Sequence, residues 1–307
     1  MRADFPGRRI SREQVGERTT YVARGRRDGA NPQIAEADTP TQLGAMLEPT
    51  PLNTGRPNIA RVYDYLLGGK DNYTADRAEA ERLLVIYPRL PVLAQHNRMF
   101  LARAVAWLAG QGVRQFLDIG CGLPTAQNTH QVAQAAHPDC RVVYVDSDPV
   151  VVSHALALLA GTDVAAIRGD LANPEAILAD PCLRNLINLA EPTAVVLAMI
   201  LRFFDDADVR RIVATLAQAI APGSYLVISI GSGDDQTGGR LAREYRAGTL
   251  HNHSPSQIVG FFDGLELVLP GLTDAATWIP GQPDRPTPTQ SGGHILAGVA
   301  RKPLTWI

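Results

Sequence analysis

The chain has 307 residues, 45% of them hydrophobic and 20% charged, with a net charge of −2; this is an ordinary composition for one large or two smaller globular domains. Residues 1–30 carry eight arginines against four acids, a balance of +4 that leaves −6 for the rest, which argues against a nucleic-acid-binding body. No apolar run nears the ~20 residues of a membrane span, and the isolated cysteines Cys121, Cys140 and Cys182 have neither CxxC nor Cys/His spacing, which fits a reducing cytosol better than a disulfide or zinc framework.

Residues 1–57 are rich in Arg, Gly, Pro and Thr and show no sustained periodicity, so they read as a disordered or loosely attached tail with no apolar signal core. Residues 58–112 read as a helical cover. Ile59, Val62, Tyr63, Leu66 and Leu67 follow helical spacing, with Asn58 able to cap the start and Gly68-Gly69 able to end it. A second helix is predicted over 75–86, before Pro88, and a third over 92–109, before Gly110 and Gly112.

Residues 113–307 read as one α/β domain. Strands are predicted at 115–119, 141–146, 164–168, 193–200 and 224–230, with helices near 125–136, 149–160, 174–188 and 206–220. Such alternation implies right-handed crossovers and a doubly wound, mostly parallel sheet. A helix near 255–262 is followed by two strands, 265–268 and 294–300, with no helix between them, which suggests an antiparallel pair at the sheet edge. Residues 283–288 read as a loop.

The first strand ends Asp118-Ile119-Gly120-Cys121-Gly122, and Asp146 ends the second. Glycines in the first strand-to-helix turn let the backbone approach a ligand closely, and an acid ending the next strand can accept from both ribose hydroxyls. A dinucleotide fingerprint needs a third glycine where Thr125 stands. An acid as close to the turn as Asp118 suits a cationic ligand better than a pyrophosphate. The plainer account is a glycine turn with a helix cap at Thr125. Asp148-Pro149 reads as a helix start. Asp170 and Leu171, after the third strand, can meet an adenine amino group and ring, or can simply form a capped loop. Arg202, after the fourth strand, can face a reaction centre or pair with Asp205 or Asp206. Arg61, Asp64 and Tyr65 make a polar helix face, followed by the unusual loop Gly68-Gly69-Lys70-Asp71-Asn72. His251 and His253 lack a third ligand, so no metal is expected.

The segments 60–73 (ARVYDYLLGGKDNY), Asn97-Arg98, 118–125 (DIGCGLPT), 143–146, 222–226 and 261–268 resemble the actinobacterial S-adenosyl methyltransferase family, long known only as a domain of unknown function. The resemblance spans about residues 57–303. It implies a Rossmann-like, seven-stranded sheet with an antiparallel last strand, and S-adenosyl-L-methionine as cofactor. It also implies that Asp118, Gly120 and Gly122 hold the methionine part, Asp146 the ribose, and Asp170 with Leu171 the adenine. The candidate cofactor set is completed by Cys121, Ser147, Ile200, Arg61, Tyr63 and Asn72. The expected protein is a cytoplasmic methyltransferase acting on a small-molecule acceptor, with no membrane or nucleic-acid partner. The alternative is a module that binds S-adenosylmethionine or S-adenosylhomocysteine without catalysis. Arg202 stands where the family usually has His; its guanidinium cannot act as a base.

Overall fold

Three short strands precede the main sheet. In the computed structural model, residues 8–15, 18–25, 34–37, 54–158, 163–232, 237–283 and 294–304 are described. Residues 1–53 and 54–307 are separate compact units. In the first, β1 (Arg8–Val15), β2 (Arg18–Gly25) and β3 (Ile34–Ala37) pair antiparallel in that order. The sequence reading expects no regular structure there; the β-prone run Thr19-Thr20-Tyr21-Val22 accounts locally for a strand. The rest of 1–53 lies outside the described residues, as do 159–160 of a predicted helix and 284–288 of the predicted loop.

The second unit opens with α1 (Ile59–Leu66), α2 (Thr74–Ile86) and α3 (Leu90–Gly110). Asn58 caps α1, its Oδ1 accepting from the Ala60 and Arg61 amides at 2.8 and 3.4 Å. Asn58→Ala is expected to cost about 1 kcal/mol, read as a lower urea midpoint at unchanged slope; an unchanged midpoint would mean the cap contributes nothing.

Then β4 (Gln115–Ile119), α4 (Thr129–Ala136), β5 (Arg141–Asp146), α5 (Pro149–Leu158) and β6 (Val164–Arg168) follow. Next come α6 (Pro174–Ala179), α7 (Pro181–Leu186), β7 (Thr193–Ala198), a 3-10 turn (Leu201–Phe203), α8 (Asp206–Ala219) and β8 (Tyr225–Ser232). The chain closes with α9 (Thr237–Glu244), α10 (Pro255–Gly260), β9 (Glu266–Leu267), β10 (Thr273–Asp274) and β11 (His294–Arg301).

The sheet runs β10-β11-β8-β7-β4-β5-β6, with β9 also pairing β11. Strands β4 to β8 are parallel, and β11 is antiparallel to β8 and β9. This is the expected doubly wound α/β sheet with its antiparallel edge. Alternate residues of β4 feed different cores, as a strand's period of two requires. Leu117 and Ile119 pack with α8 residues Ile212 and Leu216, whereas Phe116 packs with α3 residues Phe100 and Leu108. Asp118 shares the parity of Phe116.

The differences in the helices have local causes. The helix expected from 125 starts at Thr129, because Gln127 takes φ +60° and Asn128 serves as the cap. The helix expected over 174–188 breaks at Asp180-Pro181. Pro181 has no N–H, and Asp180 caps the second piece by accepting from the Cys182 and Leu183 amides. Helix α9 goes unforeseen because Gly238-Gly239 weaken its helical signal; Leu241 buried against Val62, Leu83 and Tyr87 holds it in place.

Candidate functional site

The chain runs outward from β4 through β5 to β6, then returns to β7 on the other side of β4. That reversal is a switch point, where the crevice beyond the strands' carboxyl ends receives ligands. A cavity of about 220 Å³ lies there. A neighbouring cleft near Pro124 has only about 10 Å³, too little for an organic ligand.

The turn after β4 forms one wall. Gly120 and Gly122 adopt φ of +69° and +67°, a region open to glycine. The Gly120 amide donates to Val145 O at 2.8 Å, and a Cβ on Gly120 would stand 2.6 Å from Cγ1 of Ile200. Asp118 is buried, and burial pushes its carboxyl up to about 6. The Thr129 hydroxyl, donating to Asp118 Oδ2 at 2.6 Å, and the Arg98 charge oppose that rise. Burial and the nearby Asp146 and Asp118 carboxylates hold the Cys121 thiol well above its ordinary range, so it is no nucleophile.

Asp146 ends β5. Its Oδ2 accepts from the Gly122 amide at 3.0 Å and its Oδ1 from the Asp148 amide at 2.9 Å. Burial raises its carboxyl too. Ser147 and Asp148 continue the wall; Asp148 also starts α5, its Oδ1 accepting from the Val150 amide at 2.8 Å.

Helices α1 and α3 form the opposite wall. The Tyr63 hydroxyl donates to Ala94 O at 3.2 Å and accepts from Asn97 Nδ2 at 2.9 Å. Ser229 Oγ in turn donates to Asn97 Oδ1 at 2.6 Å, tying the helices to β8. Burial raises the Tyr63 phenol, so it is not a ready base. Beyond β7, Met199 takes φ +61° with its amide held by Ser229 O at 2.9 Å, a strained conformation for a side-chain-bearing residue.

Of the candidate set, Tyr63, Asp118, Gly120, Cys121, Gly122, Asp146, Ser147 and Ile200 line this one cavity. Arg61, Asn72, Asp170 and Leu171 do not. Arg61 is buried in an ion pair with Asp76 at 2.8 Å and reaches Asp148 at 3.4 Å. Asn72 Nδ2 donates to Asp64 Oδ2 at 2.8 Å. The Asp71 amide joins it there, and a Cβ on Gly69 would strike that same carboxylate. The 68–72 loop is thus built around Asp64. Asp170 is exposed and caps the Ala172 amide at 2.9 Å, while Leu171 belongs to the core. Arg98, on the cavity wall beside Asp118, is the cation that sequence reasoning named only as part of the cover. Among the described residues no His/Cys/Asp/Glu cluster could hold a metal, and no helix is long and apolar enough to cross a membrane.

A switch-point cavity walled by a glycine turn, with a strand-end acid beside it, defines a Rossmann-like nucleotide-cofactor fold. The S-adenosyl methyltransferase family matches residues 46–303, and the chain belongs to that family. It is accordingly an S-adenosylmethionine-dependent methyltransferase. A DUF574 family protein from Streptomyces avermitilis is 39% identical over 82% of this chain and 99% of its own, with a TM-score of 0.75. A proposed methyltransferase from Thermobifida fusca is 41% identical, covering 83% and 98%, also at 0.75. Carboxy-S-adenosyl-L-methionine synthase of Klebsiella pneumoniae is 25% identical over 156 residues. That match covers 48% of this chain and 58% of the synthase, so the chain spans only somewhat more than half of this curated relative.

Proposed function

We propose that the cavity binds S-adenosylmethionine along β4 and β5 and presents its methyl group to a small-molecule acceptor. The observation that carries this reading is one continuous cavity, lined by Asp118, Asp146 and Asp148 beyond β4 and β5 and, farther on, by Phe203, Leu241 and Leu250 with Arg202 among them. Asp118 offers a negative charge to the cofactor's cationic methionine end, and Arg98 offers a positive charge to its carboxylate. Gly120, Cys121 and Gly122 supply close backbone approach, as the absence of room for a Cβ at Gly120 supports. Asp146, already oriented by two amides, retains lone pairs for ribose hydroxyls, with Ser147 beside it. Ile200 packs under the turn. Helices α1 to α3 act as the cover that excludes water.

When bound, the sulfonium supplies an electrophilic methyl group. The protein's share is to align the acceptor and keep the chamber dry. The isolated free cysteines support a cytoplasmic working place.

Incubation with S-adenosylmethionine and a small-molecule extract tests the acceptor class. One component should gain a methyl group in step with S-adenosylhomocysteine release. Methyl incorporation confined to macromolecules would sink the small-molecule reading. Asp146→Ala should weaken S-adenosylmethionine binding by at least ~1 kcal/mol, through two lost charge-assisted hydrogen bonds. Unchanged affinity in a calorimetric titration would place the ribose elsewhere.

A further inference from the structure

Strand order divides the cavity. Asp118, Asp146 and Asp148, its acidic lining residues, follow β4 and β5 at one end. The other end is built from the segments after β7 and β8, from α9 and from the start of β11. It is lined by Arg202, Phe203, Ser232, Leu241, Tyr245 and Leu250. Among the described residues no carboxylate lines this second end, and Arg202 is its one permanent charge.

The Arg202 guanidinium makes no ion pair or hydrogen bond with any described residue, and its Nε is buried without a partner. It lies against the backbone of Gly231, where a Cβ would meet NH1 at 2.9 Å. A guanidinium keeps its charge even when buried, and a buried charge without a partner is costly. Its five donors form a planar fork that matches a carboxylate. The cofactor's own carboxylate has a separate cation in Arg98, beside Asp118. Tyr245 and Ser232 add neutral polar groups, and Phe203, Leu241 and Leu250 add apolar surface.

We propose that Arg202 is a specificity-determining residue that binds the carboxylate of the acceptor, so that the acceptor is a small carboxylate anion with an apolar body. This deepens the methyltransferase reading and rests on it. Arg202 anchors the acceptor; it neither removes a proton nor contacts the departing methyl group.

The test uses the full-length protein saturated with S-adenosylhomocysteine. Cinnamate and octanoate are titrated beside cinnamamide, octanamide and phenyl phosphate. The acids should bind at least ~10-fold more tightly than their amides, the size of a charge-assisted pair. That preference should vanish in Arg202→Gln and return in part in Arg202→Lys, with S-adenosylhomocysteine affinity unchanged in both. Equal binding of acids and amides, or no binding by either acid at millimolar concentration, overturns the proposal. So does an acid preference that survives in Arg202→Gln, or tighter binding of phenyl phosphate than of either acid. If Arg202→Gln fails to fold, the acid-against-amide comparison on the unaltered protein still decides. Failure of S-adenosylhomocysteine itself to bind would instead strike the cofactor reading.

Discussion

Asp118→Asn is expected to raise the melting temperature of the ligand-free protein by several degrees at pH 7.5, while weakening S-adenosylmethionine binding about 10- to 100-fold. The two effects share one cause. Burial lifts the Asp118 carboxyl from its ordinary 3.8 to about 6, and each unit of such a shift corresponds to about 1.4 kcal/mol. Holding the ionised form in place at neutral pH therefore costs the fold roughly 3 kcal/mol. Asparagine removes that charge but keeps an oxygen to accept from Thr129, which donates at 2.6 Å in the native site.

The pH dependence follows. Because the folded-state value lies above the unfolded one, the native protein binds the proton more tightly. Its stability falls as pH rises from about 4 to about 6 and is level above that. The variant's advantage should thus be complete above about pH 6 and gone below about pH 4. Cofactor affinity of the native protein should move oppositely, falling as Asp118 is protonated below about pH 6. Charge-assisted hydrogen bonds of ~1.5–3 kcal/mol set the binding loss. Scanning calorimetry across this range, beside titrations at pH 5.5 and 7.5, checks both. A variant that melts lower than the native protein and binds equally well would remove Asp118 from any ligand role.

Much of this is legible in residue order. Strands β5 and β7 are covered on both faces, so they appear as near-continuous apolar runs such as Val142-Val143-Tyr144-Val145. The turn is legible because two glycines at positive φ have few other uses beside an acid-ended strand. Relations across the fold are not. Thr129 meets Asp118 only because α4 packs on the face that Asp118 shares with Phe116. Arg61 and Asn72 have the polar character of ligand groups, yet both are consumed in buried contacts with Asp76 and Asp64. The same residue types serve a pocket or a loop, and only packing decides which. Arg202 illustrates the converse. Its two readings, exposed pairing with Asp205 or Asp206 and a place at the reaction centre, are equal in sequence, whereas Asp205 instead caps α8 through the Asp208 amide at 2.9 Å. Arg202 lines the cavity.

Gly120→Ala is expected to weaken cofactor binding sharply and to destabilise the fold, although it adds a single methyl group. At φ +69° an L-residue places its Cβ in conflict with its own backbone, costing about 1–2 kcal/mol. The new Cβ would also stand 2.6 Å from Cγ1, 2.8 Å from Cδ1 and 2.9 Å from Cβ of Ile200. Closely packed sites resist such insertion at about 1–3 kcal/mol. The terms together amount to roughly 2–5 kcal/mol, divided between lost stability and a displaced turn. Displacement matters for function because the Gly120 and Cys121 amides both bond Val145 O, at 2.8 and 3.2 Å, and the Gly122 amide bonds Asp146. Moving the turn by a few tenths of an ångström disturbs the ribose acid and the backbone wall at once. Ile200→Ala in the same chain separates the causes. It removes the Cγ1 and Cδ1 contacts but leaves the Ile200 Cβ at 2.9 Å and the φ strain, so the double variant should recover only part of the stability lost by Gly120→Ala. Binding should recover only in part, because Ile200 is itself part of the wall. If Gly120→Ala binds S-adenosylmethionine like the native protein, the turn is not where the cofactor lies.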